Sequence, residues 1–478
     1  MKQLIYQLLP RLWGSGRFSG IDAESLSYLK GLGMDYVWYT GVIRHATRCS
    51  ERGCTPSCVV KGEAGSPYAI TDYYDVNPYL ADDPARRLEE FRALVRRTHD
   101  AGLKVLIDFV PNHVAREYTG SLGAADDRSV HWAPGNDFFY YPGEALRLPV
   151  PAHGYQEYPA RASGNVFTSA PGINDWYETV KINYCDFHTS TWDKMLDIVR
   201  FWAGMGVDGF RCDMVELVPW QFMQWLIGRI KEEFPGTIFV AEVYEKEKYG
   251  LYVQEVGFDL LYDKSGLYDT LRAVTCSGAS ARGITWNWQF LGSLQPHMLN
   301  FLENHDEQRL ASDFFCGSAS RSYAALSVSL LLNDAPFMLY MGQEAGERGM
   351  QQEGFSGLDG RTSIFDWCEV PALRHPDHDV LEHYRSLLSL ARKEAFAQGK
   401  TFDLCYCQDG AFHADRHFAW LRSDGAGTWL LAANFSDTPA ALTLSIPPEA
   451  LDYLGIKAVR TVYTLDVPAW GYMAEEVF

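Results

Sequence analysis

The sequence contains no apolar run of the roughly 20 residues that a membrane-spanning helix requires. Basic residues are also scarce: 42 Lys and Arg stand against 61 Asp and Glu, which gives a formal net charge of −19. Nucleic acids and anionic lipids bind to basic patches, so this balance disfavours both as partners. We interpret the acidic surplus mainly as a source of solubility, and it also suits a neutral substrate.

The ten cysteines do not form an obvious disulfide framework. Cys49, Cys54 and Cys58 cluster near His45, which raises a metal site, but their spacing is not a zinc pattern and free thiols are the favoured interpretation. The segment MKQLIYQLLPRLW has no small-residue cleavage site and resembles a first strand more than a signal peptide. We therefore expect a cytoplasmic protein, and a secreted form with the signal removed stays open.

Short apolar runs alternate with stretches of helical periodicity over most of the chain. The predicted strands are residues 4–7, 35–39, 104–108, 209–213, 237–242, 258–262, 299–303 and 337–341. The predicted helices are residues 23–32, 83–97, 192–204, 220–234, 323–332 and 379–391. Eight strands with intervening helices predict an α/β fold, a (β/α)₈ barrel.

Two regions depart from this alternation. Residues 114–181 lack clear periodicity and are rich in Gly, Pro, Asp and aromatics, which predicts a small inserted subdomain after the third strand because long structureless loops are uncommon. Short β-type runs at 402–406, 417–421, 428–434, 441–445 and 458–463 predict a C-terminal antiparallel β-sandwich domain over residues 395–478. The barrel then comprises residues 1–113 and 182–394.

Polar residues, most of them carboxylic acids, lie at the ends of several predicted strands. They are Asp213, Glu242 and Asp306, with Asp108, Asn112 and His113 in the segment KVLIDFVPNH. An acid at the end of a buried strand is costly unless it emerges into a polar cleft. If these strands form one barrel, the acids meet at one face, where barrel enzymes carry out their chemistry.

The neighbours of two of these acids suggest a division of labour. Arg211 lies two residues before Asp213 on the same strand face and would lower the pKa of Asp213, which suits a nucleophile. Glu242 ends an apolar run, and burial would keep it protonated as a general acid. One charged and one neutral carboxylate serve glycosidic-bond cleavage. Structural ion pairs at strand ends are the competing interpretation, which is weaker for three acids with Arg and His neighbours.

Four motifs, in order along the chain, resemble those of the α-amylase family of glycoside hydrolases. They are DFVPNH on the third strand, GFRCD on the fourth, AE on the fifth and ENHD on the seventh. The resemblance extends through nearly the whole chain, from IYQLLPRLW into the C-terminal domain. Each short match is weak, but the ordered set in its strand context is highly specific.

This resemblance implies a role for each site residue. Asp213 would be the nucleophile, Glu242 the acid/base catalyst and Asp306 the stabiliser of the transition state. The implied substrate-binding residues are Tyr68, which would stack on a sugar, His113 and His305, which would contact hydroxyls, Arg211, which would orient Asp213, and Asp108, which would support the site. The implied reaction is double displacement with retention of configuration at an α-glucan or maltooligosaccharide, and it requires no cofactor.

Some positions depart from the common family pattern and bear on specificity. Glu216 and Leu217 occupy positions where α-amylases often have Lys-His, so the leaving-group side of the site is altered. Lys181 and Asn183 resemble the motif of the intermediate, neopullulanase-like group, which acts on α-1,4 and sometimes α-1,6 links. Aromatic side chains of the insertion would either stack on sugars or form its mini-core: Trp132, Phe138, Phe139, Tyr140, Tyr141 and Trp176. Trp176 and Lys181 join the candidate substrate-binding residues.

Calcium is common in this family, and the sequence leaves a structural Ca²⁺ open. Asn112 matches a frequent ligand position, and Asp126, Asp127 and Asp137 could supply further oxygens. The chain has no EF-hand-like, Asp-rich loop.

The predicted function is therefore a retaining α-glucan hydrolase of starch or maltooligosaccharide degradation. Two alternatives remain: an α-glucan transglycosylase on the same scaffold, and a non-catalytic glucan-binding protein. The last would be expected to have lost an acid, whereas Asp213, Glu242 and Asp306 are all present. Bond preference, endo or exo action and oligomeric state are not predicted.

Overall fold

The computed structural model describes residues 2–119, 137–184, 189–457 and 460–478. Eight parallel strands form one sheet in chain order: β1 (Leu4–Leu8), β2 (Tyr36–Tyr39), β3 (Lys104–Phe109), β4 (Gly209–Cys212), β5 (Ile238–Ala241), β6 (Leu260–Tyr262), β7 (Met298–Leu299) and β8 (Phe337–Tyr340). Strand β1 pairs with both β2 and β8. A parallel bridge between Asn300 and Phe337 joins β7 to β8 and closes the sheet. The predicted (β/α)₈ barrel is confirmed.

The barrel strands are buried almost throughout, as expected for parallel strands covered on both faces. Strand β7 is shorter than the predicted run 299–303 and consists of two residues plus the bridge at Asn300. Beyond it the chain leaves the ladder and forms the loop that contains His305 and Asp306. Thus the apolar run MLNFL continues past the end of the strand, because buried loop residues also need apolar side chains.

The helices surround the barrel, and two of them begin at a capping aspartate. They are α1 (Ala23–Gly31), α2 (Arg87–Asp100), α3 (Thr189–Gly204), α4 (Trp220–Glu233), α5 (Asp269–Ser277), α6 (Arg282–Leu291), α7 (Tyr323–Leu331) and α8 (His378–Ala391). Asp22 caps α1 by accepting from the Ser25 amide at 2.9 Å, and Asp377 caps α8 in the same way. The predicted start at Asp83 is a separate 3₁₀ turn, Pro84–Arg86, before α2. Among the described residues, none of the helices has the length and apolar character needed to cross a bilayer.

Helices α5 and α6 were not predicted. A π-helical segment, Lys264–Tyr268, leads directly into α5, so the first turns do not follow the 3.6-residue period. Helix α6 has the sequence RGITWNWQFL, in which Trp286 and Phe290 are 74% and 52% exposed. Exposed aromatics on the outer face hide the amphipathic pattern on which the prediction depended.

The chain between β3 and α3 forms an excursion over the carboxyl ends of the strands. His113–Ala115 and Thr179–Lys181 form an antiparallel pair at its base. A second short pair joins Tyr140–Tyr141 to Ala160–Arg161. The excursion therefore leaves and re-enters the barrel at one point, beside β3, although the predicted subdomain boundaries at 114 and 181 stay a prediction, as does the division at 395.

The C-terminal part forms an antiparallel sheet and a hairpin that pack face to face. The sheet has the order β9 (Lys400–Asp403), β10 (His417–Ser423), β11 (Thr428–Asn434) and β14 (Tyr472–Glu476), and the hairpin consists of β12 (Ala440–Ser445) and β13 (Val462–Val467). Trp420 and Leu431 pack against the barrel, whereas Leu421 and Leu430 pack against the hairpin. This alternation of faces is the period of two expected of strands.

Three details of this region differ from the prediction. The strand predicted at 458–463 is β13, four residues further along the chain. Strand β14 was missed because its sequence, YMAEE, is polar and largely exposed at a sheet edge. Two short helices, α9 (Glu394–Ala397) and α10 (Pro448–Leu454), were also missed.

Candidate active site

A cavity of about 180 Å³ lies at the carboxyl ends of the barrel strands. Its walls include six residues that the sequence singled out: Tyr68, His113, Trp176, Asp213, Glu242 and Asp306. A second cavity of about 250 Å³ adjoins it, since Lys61, Asp306, Ile364 and Phe365 line both. The fold therefore brings the three acids, which are 93 residues apart in sequence at the extremes, into one cleft.

Arg211 connects two of the acids. Its Nη1 lies 2.6 Å from Asp213 Oδ1, and its Nη2 lies 2.8 Å from Glu242 Oε2. The guanidinium is almost completely buried and is surrounded by the rings of Trp38, Tyr68 and Tyr262, whose centroids lie 5.1–5.6 Å from it. One planar cation thus fixes both carboxyl groups relative to each other through its fork geometry.

Asp213 follows β4 directly and is buried. Its Oδ1 accepts from Arg211, while its Oδ2 has no hydrogen-bond partner among the described residues. Burial raises the pKa of Asp213 well above its usual value, and Arg211 only partly opposes that effect while Glu242 reinforces it. Arg211 does lower the pKa of Asp213, as expected, but desolvation outweighs this effect, so the net shift is upward.

Glu242 follows β5, accepts two hydrogen bonds and forms an ion pair with Arg211. Oε2 accepts from the Met214 amide at 2.9 Å and is ion-paired with Arg211, and Oε1 accepts from the Tyr244 hydroxyl at 2.9 Å. Met214 adopts a left-handed conformation, with φ 44° and ψ 45°, which is strained for a residue with a side chain. That turn directs its amide towards the carboxylate one strand away.

Asp306 ends a hydrogen-bonded row that begins inside the barrel. Gln7 Nε2 lies 2.8 Å from His305 Nδ1, which leaves the ring proton on Nε2, 3.0 Å from Asp306 Oδ2. His305 Nε2 also lies 2.5 Å from the Tyr68 hydroxyl. Desolvation would raise the pKa of Asp306, but His305 and two nearby arginines outweigh it and lower this pKa to about 2. Asp306 is thus an anion, and 39% of its side chain is exposed to the cleft.

Asp108 lies on β3, directly opposite Arg211 in the register of β3 and β4. It accepts from the Gly41 amide at 3.2 Å and from the Tyr68 hydroxyl at 3.3 Å, and it does not line the cavity that contains the three acids. Burial raises its pKa. Its contacts are those of a residue that holds Tyr68 and the loop after β2 in place.

His113 and Trp176 lie together on the wall formed by the excursion, with ring centroids 5.1 Å apart. Burial, together with Lys181 and Lys61, lowers the pKa of His113 to about 3. The imidazole is therefore neutral near pH 7 and suits a hydrogen bond to a hydroxyl rather than a contact with an anion. Trp176 is half-buried, so part of its ring faces the cavity.

Comparison with known proteins agrees with this arrangement. Residues 11–237 match the family model described as alpha amylase, catalytic domain. The chain is similar to the α-amylase family over this stretch, which is nearly half of its length and includes Arg211 and Asp213. It is 27% identical over 466 residues to alpha-amylase MalA of Haloarcula japonica, which covers 94% of this chain but only 58% of that relative.

Two further relatives cover most of both chains. The chain is 22% identical over 570 residues to probable oligo-1,6-glucosidase 3 of Bacillus subtilis, with 96% of this chain and 94% of the relative covered. The crystal structure of the maltogenic alpha-amylase AmyB from Thermotoga neapolitana superposes with a TM-score of 0.67 at 20% identity, over 99% of this chain and 96% of that one. The latter likeness concerns the fold.

The Asn112 side-chain oxygen, which the resemblance suggested as a calcium ligand, contacts a lysine instead. The Lys181 ammonium donates to Asn112 Oδ1 and, at 2.7 Å, to the Leu217 carbonyl. A cation beside that amide oxygen repels Ca²⁺, so Asn112 does not fit the metal role proposed for it. Asp137 likewise accepts from Lys194 and Thr191, and Asp126 and Asp127 lie outside the described residues. Within the described ranges, no three His, Cys, Asp or Glu side chains are arranged to hold a metal ion.

This placement also bears on Lys181 as a substrate-binding residue. The side chain is buried, and its ammonium reaches two groups of the barrel rather than the cavity wall. Strand pairing puts Lys181 opposite His113. A contact between Lys181 and substrate stays a prediction.

Some aromatic residues of the insertion form its core, and one faces the cavity where it could stack on a sugar. Phe138, Phe139 and Tyr140 are buried, so they contribute to packing, whereas Trp176 lines the cavity. Trp132 lies outside the described residues. Outside the insertion, His45 is buried among Asn77, Tyr79 and the Ile43 carbonyl, and Cys49, Cys54 and Cys58 are free thiols.

Several residues of the site were not found from the sequence. Tyr244 and Glu178 line the catalytic cavity, and Lys61 forms a buried ion pair with Glu178 at 3.3 Å. Gln7 fixes the tautomer of His305. The position of Tyr244, two residues after Glu242, was the available signal, because alternate residues after a strand can return to the same side.

Proposed function

We propose that this protein is a retaining α-glucan hydrolase that cleaves α-1,4 and also α-1,6 glucosidic bonds. The observation that carries the proposal is the shared guanidinium of Arg211, which holds Asp213 and Glu242 at the wall of one cavity that also contains Asp306. A nucleophile and an acid/base catalyst must lie close together for double displacement. Ion pairs that only stabilise the fold have no need of an adjoining cavity.

In the first step, Asp213 attacks the anomeric carbon and Glu242 donates a proton to the departing glycosidic oxygen. The attacking atom is Asp213 Oδ2, because Oδ1 is held by Arg211 and Oδ2 has no partner among the described residues. The C–O bond to the leaving sugar breaks as the bond to Oδ2 forms, which gives a glycosyl ester and a free sugar hydroxyl.

In the second step, Glu242, now ionised, removes a proton from a water molecule that attacks the same carbon. The ester bond to Asp213 breaks, and the product keeps the α-configuration. Asp306, anionic beside His305, stabilises the positive charge that develops on the ring in both steps and accepts hydrogen bonds from sugar hydroxyls. Neutral His113 donates or accepts one further hydrogen bond.

The proposed substrate class is supported by the aromatic rings that line the cleft and by the names of the relatives. Trp176 and Tyr68 offer ring faces to a sugar, and the adjoining cavity beyond Asp306 has room for a further unit. The relatives are named as an α-amylase and an oligo-1,6-glucosidase, which supports the inclusion of both linkages. Glucan or maltooligosaccharide is therefore the proposed partner.

The test is activity on amylose, pullulan, panose and maltotriose, with chromatography of the products and proton NMR of the first anomer released. We expect α-products from α-1,4 links, with panose and pullulan reporting on α-1,6 cleavage. First products of β-configuration would contradict retention. Products longer than the substrate would instead identify the transglycosylase, and no turnover of any of these glucans would overturn the proposal.

A further inference from the structure

Two loops at the active site exchange hydrogen bonds. The loop after β4 donates the Met214 amide to the Glu242 carboxylate at 2.9 Å. In the opposite direction, the Glu216 carboxylate accepts from the Tyr244 amide at 2.7 Å and from the Glu245 amide at 3.2 Å. The position that departs from the family's Lys-His pattern, Glu216, thus fixes the segment that follows the acid/base residue.

The hydrogen bonds of Glu242 leave one oxygen for the catalytic proton. Oε2 already accepts from the Met214 amide and forms an ion pair with Arg211, and neither the amide nor the guanidinium gives up a proton at neutral pH. The proton must therefore be carried by Oε1, whose one partner among the described residues is the Tyr244 hydroxyl at 2.9 Å. Tyr244 consequently lies at the atom that exchanges a proton with the substrate.

Tyr244 is suited to remain a hydrogen-bond donor throughout the reaction. Burial and the neighbouring carboxylates of Glu242 and Asp306 hold the pKa of Tyr244 far above its ordinary value, so its hydroxyl keeps its proton. Its side chain lines the catalytic cavity and is still 36% exposed. A donor at this place stabilises ionised Glu242 after it has given up its proton.

We propose that Tyr244 is a positioning residue for Glu242, which directs Oε1 into the cavity and stabilises the carboxylate after proton transfer, and that Glu216 holds Tyr244 in place. This inference rests on the proposed function, since it assigns Glu242 the acid/base role. The ionisable and charged groups that face Glu242 from the neighbouring strands and loops are Arg211, Asp213, Tyr244, Tyr262 and Asp306.

The decisive variant is Tyr244→Phe, which keeps the ring and removes the hydroxyl. The pH dependence of kcat/KM should change on its alkaline side, because the hydroxyl that donates to Oε1 of the carboxylate is lost. Turnover of maltotriose should fall about 10–100-fold. Turnover of 2-chloro-4-nitrophenyl α-maltotrioside should fall much less, since its phenolic leaving group needs little protonation.

The matched control is Tyr252→Phe. Tyr252 lies on the same segment, is buried, and donates its hydroxyl to the Val215 carbonyl at 3.4 Å rather than to Glu242. This variant should keep the pH profile and the ratio of the two substrates. Equal shifts in both variants would show that loop packing, not the hydroxyl at Oε1, is responsible, and would overturn the inference.

A second variant, Glu216→Gln, tests how Tyr244 is held. Its amide oxygen can still accept from one of the two backbone amides, so the same changes should occur with a smaller amplitude than in Tyr244→Phe. An unaltered alkaline limb and substrate ratio in Tyr244→Phe, in an enzyme whose wild type degrades maltotriose with retention, would reject the role of Tyr244 while leaving the proposed function intact. An inactive wild type would reject the proposed function itself.

Discussion

Two buried arginines lie near the carboxyl ends of the barrel strands and have opposite surroundings. Arg309 binds Glu303 at 2.9 Å, and both side chains are almost completely buried. Arg309 also donates to Thr362 and to the Met341 carbonyl, and the second oxygen of Glu303 accepts from the Leu310 amide at 2.6 Å. Both carboxylate oxygens of Glu303 are therefore occupied, and this pair ties the loop after β7 to the loops after β8.

Arg211 also holds carboxylates, but one oxygen is left without a partner among the described residues. That oxygen, Asp213 Oδ2, belongs to a residue of the cavity wall. An arginine–carboxylate pair at the end of a strand can therefore serve either packing or chemistry. A carboxylate oxygen that has no partner and lies beside a cavity identifies the pair that is suited to chemistry. Burial alone does not separate them, because both arginines are about equally hidden.

The largest effect should come from Asp213→Asn, which removes the proposed nucleophile and keeps an oxygen that can accept from Arg211. We expect a loss of about 10⁴-fold or more in kcat/KM on maltotriose. The melting temperature should remain within a few degrees of wild type, as measured by circular dichroism. Appreciable turnover by the purified variant would contradict the assignment.

The opposite pattern is expected of Arg309→Met. It leaves Glu303 buried without its counter-charge and should cost about 3–5 kcal/mol of unfolding free energy in urea titrations, while the folded fraction stays active. The control is Arg229→Met, which breaks the exposed pair with Glu232 and should cost less than about 1 kcal/mol. If Arg309→Met were stable but catalytically defective, the assignment of Arg309 to packing and of Arg211 to chemistry would be contradicted.

Arg211→Lys should reduce kcat/KM by about 10²–10³-fold, because one ammonium does not reproduce the fork that holds both carboxylates. Asp213 must be ionised to act, so activity is lost as pH falls through its raised pKa. Lysine should stabilise ionised Asp213 less than arginine does, so the acid limb of kcat/KM should move to still higher pH. Arg309→Lys is the control and should leave the pH profile unchanged.

The smallest effect concerns stability as a function of pH. Burial raises the pKa of Glu303 from 4.5 to about 7, so the folded protein binds more protons than the unfolded one between these values. The stabilising contribution is therefore present at low pH and is lost as pH rises through this window, by about 3 kcal/mol. Between pH 4.5 and pH 7, the free energy of unfolding of the wild type should fall relative to that of Glu303→Gln. The same pH dependence in both proteins would refute this prediction.

The sequence was sufficient for the barrel and for the assembly of the candidate site. Apolar runs of strand length, each followed by polar residues, identified the strands that carry Asp108, Asp213 and Glu242, because a parallel strand buried on both faces has few alternatives. The convergence of the acids then followed from the barrel itself. Helices α5 and α6 were not predicted, because their apolar residues do not follow one clear period.

Electrostatics and loop contacts were beyond the sequence. The effect of Arg211 on Asp213 depends on a second carboxylate that shares the guanidinium, and this competition is visible only once β4 and β5 are neighbours. The lysine at Asn112 comes from the far end of the excursion. Contacts between residues that are distant along the chain and not part of a regular ladder leave no periodic signal.

The C-terminal sheet covers one side of helix α7, and this has a consequence for synthesis of the chain. Every residue from Ala324 to Leu331 is buried, since one side of the helix faces the barrel and the other is covered by the sheet. Trp420 and Thr401 donate to carbonyl groups at its end, Leu331 and Leu332. On a ribosome, the chain up to α8 would therefore present an uncovered apolar helix until the strands of residues 400–476 emerge and cover it.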